Sequence, residues 1–139
     1  MNPLQRIRSI VSQVCFIIYN RLCCIFIPLK EEQVCFLAET HAGLNGNLKA
    51  VYDYLEKANS LDLKLIVYTK EDRRDRHSAL SVLSIWKAIS VSKYLFLDDL
   101  YTSTSYMKAR NGQEIVQLWH GAGAYKKFGH SRNDLHKNI

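Results

Sequence analysis

The most apolar part of the chain comes first. Within residues 1–30, Leu4, Ile7, Val11, Val14, Ile18, Leu22 and Ile25 recur at helical spacing, while Gln5, Ser9, Ser12, Gln13 and Asn20 gather on the other side. This periodicity predicts one long amphipathic helix, which Pro28 ends. After Lys30 the pattern changes. "QVCFLAE" is a short apolar run that reads as a buried strand. The loop "GLNG" follows, with Asn45 and Asn47 as candidate helix caps. "NLKAVYDYLEKAN" then sets Leu48, Val51, Tyr52 and Leu55 on one helical face, and "LDLKLIVYT" reads as a second strand. "SALSVLSIWKAIS" reads as a further helix with Leu80, Leu83, Ile85, Trp86 and Ile89 turned inward. "SKYLFLDD" and "QEIVQLWH" supply a third and a fourth strand.

Strands near 33–38, 63–69, 94–98 and 114–119, alternating with helices, predict an α/β fold. The expected architecture is a Rossmann-like parallel sheet with flanking helices over residues 31–139, preceded by the amphipathic helix of residues 1–30. Sheets of this kind bind ligands in the crevice beyond the carboxyl ends of their strands. Glu39, Asp98, Asp99 and His120 all fall at or just past a predicted strand end, so they converge on that edge. "KEDRRDRHS", between the second strand and the second of these helices, reads as a solvated loop, and its His77 has no partner in sequence.

Composition fits a folded domain rather than a disordered one: 139 residues, 47% hydrophobic and 23% charged. The formal net charge of +6 suggests an anionic partner. Where the charge sits narrows the choice. Residues 1–30 hold Arg6, Arg8, Arg21 and Lys30 and no acid, while Lys108, Arg110, Lys126, Lys127, Arg132 and Lys137 cluster toward the other end. Two separate basic regions fit a membrane contact plus a phosphate site better than one nucleic-acid stripe, so no nucleic-acid partner is expected. The first helix falls short of a membrane span, because Asn20 and Arg21 interrupt the roughly 20 apolar residues a span needs. Nor does an A-x-A-like cleavage site follow it. Two readings stay open: a helix lying in the membrane surface with its arginines at the headgroups, or one packed on the domain or on a partner chain. Cys15, Cys23, Cys24 and Cys35 match no metal-site spacing and read as buried small apolar residues.

"QLWHGAGAYKKFG" carries the chemistry. The fourth strand delivers His120 at its tip, and Gly121 and Gly123 let the backbone turn sharply and approach a ligand. Exposed N–H groups of such a turn suit phosphate oxygens, and Lys126 and Lys127 add positive charge. A histidine titrates near neutral pH and can take a proton from a hydroxyl nucleophile. Hydroxyl, phosphate and base together point to phosphoryl transfer. The motif lacks the glycine spacing of a dinucleotide fingerprint and the G-K-[ST] of a P-loop. The residues alone leave a structural strand-turn histidine as the alternative.

"IVQLWHGAGAYKKFG" resembles the W-H-G motif of the CDP-glycerol glycerophosphotransferase family, bacterial enzymes that prime and polymerise teichoic acids. "NLKAVYDYLEKA" and "SKYLFLDDLYTSTSYMKARNGQEIVQLWHG" extend the similarity over roughly residues 33–130, and "GAGAYKKFG" looks most like the primase-type members. The resemblance implies a two-domain GT-B-type fold whose first domain faces an undecaprenyl-diphosphate-linked acceptor and whose second binds a CDP-polyol such as CDP-glycerol. It implies His120 as the base that activates the acceptor hydroxyl; Gly121, Gly123, Lys126, Lys127, Asp98, Glu39 and Asn47, read from the loop, the strand ends and the helix start, are the candidate substrate-binding residues beside it. No metal and no cofactor beyond the CDP-polyol substrate is expected. It also implies peripheral attachment to the cytoplasmic face of an anionic membrane. Residue 139 falls about where the family's interdomain connection should begin, so the expectation is an acceptor-side half without the second domain: an excised domain, a truncated frame or one piece of a split protein, inactive alone. The alternative is a non-catalytic, membrane-associated interaction module of the same fold.

Overall fold

The computed structural model describes residues 3–38, 42–58, 63–69, 79–99 and 101–118. Helix α1 (Pro3–Phe26) is followed by strand β1 (Lys30–Leu37), helix α2 (Gly46–Lys57), strand β2 (Lys64–Tyr68), helix α3 (Ala79–Val91) and strand β3 (Ser92–Leu97). A short 3-10 helix (Thr102–Tyr106) then leads to strand β4 (Glu114–Gln117). The four strands form one sheet in the order β2-β1-β3-β4, with every pairing parallel.

The central strand explains the layering. Val34 to Ala38 are all buried, because β1 has neighbours on both sides and helices over both faces. Cys35 and Leu37 point to one side, where with Leu95, Leu97, Phe16, Ile85 and Ile89 they form the core beneath α1 and α3. Val34, Phe36 and Ala38 point to the other and meet Leu48 of α2. There Phe96 stacks on Phe36 with centroids 5.3 Å apart, and Tyr52 meets the same ring edge-on at 5.4 Å. Leu48, Val51, Tyr52 and Leu55 all belong to this second core, as the helical spacing predicts. The result is a sheet sandwiched between helices, the Rossmann-like arrangement expected.

Four local expectations are corrected. Strand β1 begins at Lys30 rather than near Gln33. The pairing of Lys30 with Ser92 is followed by Val34 with Tyr94, so the register shifts across the exposed charged stretch that the apolar pattern could not see. Leu80 is 77% exposed in the first turn of α3, although Ile85 and Ile89 beyond it are buried. Asn45 takes the N-cap position of α2 but makes no side-chain cap bond, and Asn47 lies inside the helix. The fourth correction concerns α1. Its buried residues are Phe16, Asn20 and Cys23, while the apolar stripe from Leu4 to Ile25 is exposed. Asn20, grouped with the solvent side by periodicity, is the residue the fold buries.

A polar seam explains that inversion. Asn20 Nδ2 donates to Ser90 Oγ at 2.9 Å, and Ser90 Oγ donates to the Trp86 carbonyl at 2.7 Å. Gln33 Nε2 donates to Ser92 Oγ, which donates to the Ala88 carbonyl, both at 2.7 Å. The loop before β4 closes the seam. Gln113 Nε2 donates to the carbonyls of Ile89 and Ser92, each at 2.9 Å. The Arg110 guanidinium donates to the carbonyls of Ser90 and Cys24 at 3.4 Å. Gly112 makes the connecting turn possible. Its φ of +82° is one that side chains rarely adopt, and it lets Gln113 N reach the Arg110 carbonyl at 3.0 Å.

Replacing Gln113 by Leu removes the donor to two carbonyls, that of Ile89 near the end of α3 and that of Ser92 at the start of β3. Unsatisfied groups of this kind cost about 1–3 kcal/mol each, so Gln113→Leu should lower stability by about 2–6 kcal/mol in urea unfolding. An unchanged midpoint would mean that water replaces the amide without loss.

Candidate functional site

Chain order identifies the ligand-binding edge. From β1 the chain moves outward to β2, then returns across the sheet to β3 on the other side. The winding therefore reverses between β1 and β3, and the crevice beyond their carboxyl ends is the topological switch point. Asp98 sits there. Its backbone N–H donates to the Leu37 carbonyl at the end of β1, at 3.4 Å, and it is only 8% exposed. Asp99 follows it, half-buried. Asn47 lies in the first turn of α2, the helix that follows β1 at this same edge, and that turn holds no acidic residue. An oxyanion there meets a helix amino end without a competing carboxylate.

Strand β4 also ends at this edge. It pairs with β3 from Tyr94–Glu114 to Leu97–Gln117, and Leu118 N then donates to the Leu97 carbonyl at 2.7 Å. That bond anchors β4 beside Asp98 two residues before His120. His120, Gly121, Gly123, Lys126, Lys127 and Glu39 lie outside the described residues, as does His77. Of the predicted site residues, Asp98 and Asn47 are thus described, both at the carboxyl edge.

The sequence profile of the CDP-glycerol:poly(glycerophosphate) glycerophosphotransferase family matches residues 18–138. The chain belongs to that family. Among its relatives, the teichoic acid poly(ribitol-phosphate) polymerase of Bacillus spizizenii is 34% identical over 110 residues, 78% of this chain and 17% of the relative. A teichoic acid ribitol-phosphate polymerase of Staphylococcus aureus is 30% identical over 104 residues, 74% of this chain and 20% of its own length. The teichoic acid ribitol-phosphate primase of B. spizizenii is 28% identical over 114 residues, 80% of this chain and 29% of the relative. The chain therefore spans less than a third of each relative. The similarity includes polymerases and a primase alike, so it does not single out the primase type that the form of the motif suggested.

Among the described residues, no group of three or more His, Cys, Asp or Glu side chains stands ready for a metal ion. Cys35 lies inside the sheet at 0% exposure, and burial pushes its thiol well above the ordinary range. It is a packing residue, since a nucleophilic cysteine requires a thiolate. The Tyr52 phenol is also raised, through its exposed hydrogen bond to Glu56, while its ring packs on Phe36.

Cys35 gives the protein a definite alkaline response. An unfolded thiol ionises near pH 8.5, while the buried one stays protonated above that. Above about pH 8.5 the unfolded chain thus sheds a proton that the native chain keeps, and Cys35 contributes a loss of stability as pH rises, up to about 1.4 kcal/mol per unit. Cys35→Ala should flatten the slope of unfolding free energy between pH 8.5 and 10. Parallel slopes for the two proteins would show that the native thiol ionises freely.

Proposed function

We propose that this chain is the acceptor-facing part of a polyol-phosphate transferase of teichoic-acid type, built as the first half of a GT-B-type fold. The observation that carries the reading is the family match across residues 18–138, because it takes in the W-H-G segment that β4 leads into. In this reading His120 accepts the proton of an acceptor hydroxyl. The hydroxyl oxygen attacks the polyol-bearing phosphorus of a CDP-polyol, the new phosphodiester P–O bond forms, and the P–O bond to CMP breaks. Gly121 and Gly123 bring backbone N–H groups to the phosphoryl oxygens, and Lys126 and Lys127 neutralise charge as it shifts to the leaving group. Asp98, Glu39 and Asn47 line the acceptor side of the crevice.

The family description names CDP-glycerol, and the relatives' names specify ribitol phosphate, so the substrate class is a CDP-linked polyol. The acceptor is a lipid diphosphate carrying a saccharide or polyol phosphate, reached from the cytoplasmic face of the membrane by a peripherally bound protein. No metal or further cofactor takes part.

The decisive variant is His120→Ala, made in a protein that joins this segment to a CDP-polyol-binding half. Loss of a general base should slow transfer roughly 10²–10⁴-fold while the melting temperature and CDP-polyol binding stay as they were. Lys126→Ala and Lys127→Ala should give smaller losses, expressed in the use of the acceptor. A folded His120→Ala protein with full turnover would end the catalytic assignment and leave an interaction module.

A further inference from the structure

Helix α1 has two unlike sides and a definite direction. One side is used by the domain: Phe16 meets the Trp86 ring at 5.5 Å, Tyr19 meets it at 6.1 Å, and Asn20 bonds Ser90. The rest is open. Leu4, Ile7, Val11, Ile18, Leu22 and Ile25 are between 48% and 72% exposed, which is far more contiguous apolar surface than a soluble face carries. The expectation that Asn20 and Arg21 make the helix too short for a span is corrected: by length and composition Pro3–Phe26 could cross a membrane, and only 17% of its apolar window is buried in the domain. Its charges are Arg6, Arg8 and Arg21, with no acid, which complements an anionic lipid surface and is repelled by a basic one.

The direction follows from the same contacts. Phe16 with Trp86 and Asn20 with Ser90 share one sequence offset, so α1 and α3 run parallel and Ser9 lies level with Ala79, where α3 begins. Both helices end at the amino edge of the sheet, α3 running straight into Ser92 and α1 reaching Lys30 through a short link. The free end of α1 therefore overshoots α3 by the six residues 3–8, roughly 9 Å of helix, toward the carboxyl edge. Arg6 and Arg8 stand on that overhang. Helix α1 also touches the 3-10 helix between β3 and β4, which places it on the β4 side of α3.

We infer that α1 lies in the plane of an anionic bilayer with its Arg6–Arg8 end beside the carboxyl edge of the sheet, so that this edge opens sideways along the membrane. Strands packed on an in-plane helix lie in that plane as well, one layer of about 10 Å above it. An acceptor borne by a lipid then enters from the flank, and its reacting group must stand about that far above the headgroup plane. The membrane seating rests on α1 alone. Only the meaning of the edge rests on the function proposed above.

The test uses the 139-residue chain on vesicles of phosphatidylglycerol and phosphatidylcholine. In a Cys15→Ala/Cys24→Ala background, whose two remaining thiols are buried, a nitroxide is attached at Ile7→Cys, Ile18→Cys, Ile25→Cys or Tyr54→Cys. The three α1 positions should report one shared shallow depth, and the label at position 54, on the far helix layer, should stay in water. Arg6→Ala/Arg8→Ala should weaken binding to the anionic vesicles about 30-fold, near fivefold for each arginine, whereas Lys57→Ala on α2 should not. Four outcomes overturn the inference. A depth that is greatest at position 18 and emerges on opposite sides at 7 and 25 means a membrane span. Labels on α1 already shielded in vesicle-free solution, with a doubled mass, mean that a second copy covers the face. Equal weakening by Lys57→Ala means unoriented charge attraction. Failure of all vesicle binding removes the membrane seating while leaving the His120 assignment to its own assay.

Discussion

Two helices that end side by side at the bottom of a sheet leave their last carbonyl groups facing a crowded, poorly hydrated place. In this protein the loop before β4 answers them. Arg110 reaches one carbonyl near the end of each helix, Cys24 of α1 and Ser90 of α3, and Gln113 adds Ile89 and Ser92. A cation at a helix carboxyl end also matches the sign of the helix dipole. These bonds bring α1, α3, β3 and β4 to a common level. Strands that start together and run parallel also finish together, so the carboxyl edge inherits its order from the amino edge.

The same seam decides which way α1 faces. A buried amide must find partners, and Asn20 has one only if it turns toward Ser90. Once Asn20 points inward, helical geometry sends the long aliphatic stripe outward. Phe16 and Cys23 share the inward face, and the Phe16–Trp86 contact adds apolar burial to the polar registration. One hydrogen-bonded pair thus sets the rotation of a 24-residue helix and leaves its apolar surface for something other than the core. Of the two readings of the sequence, a helix packed on the domain is the one these contacts bear out, through a narrow strip of α1.

Within the family, the described part of the chain supplies placement rather than reaction. Asp98 is held at the switch point by the β1–β3 pairing, and the bond from Leu118 to Leu97 fixes where β4 leaves the sheet. The proposed phosphate-binding role of the following loop would need a rigid strand behind it, since small displacements at reacting atoms cost rate steeply. The four-stranded sheet, with β1 covered on both faces, provides that rigidity.

The order of strands and helices, the parallel class of the sheet and the inner face of α2 were legible in the residues. Each rests on a local period, two for a strand and 3.6 for a helix, that survives whatever the rest of the chain does. Family membership was legible for a related reason: the residue types and spacing around His120 carry the resemblance without reference to the fold, and the family match covers that stretch. What the sequence could not determine involves partners far apart in the chain. Asn20 and Ser90 are 70 residues apart, Arg110 and Cys24 86, and Gln33 and Ser92 59. A periodic reading assigns every polar side chain to water, so it sent Asn20 outward and drew Leu80 in. The tertiary structure reversed both, because a buried donor is stable wherever an acceptor meets it and an apolar side chain is buried only where another element covers it.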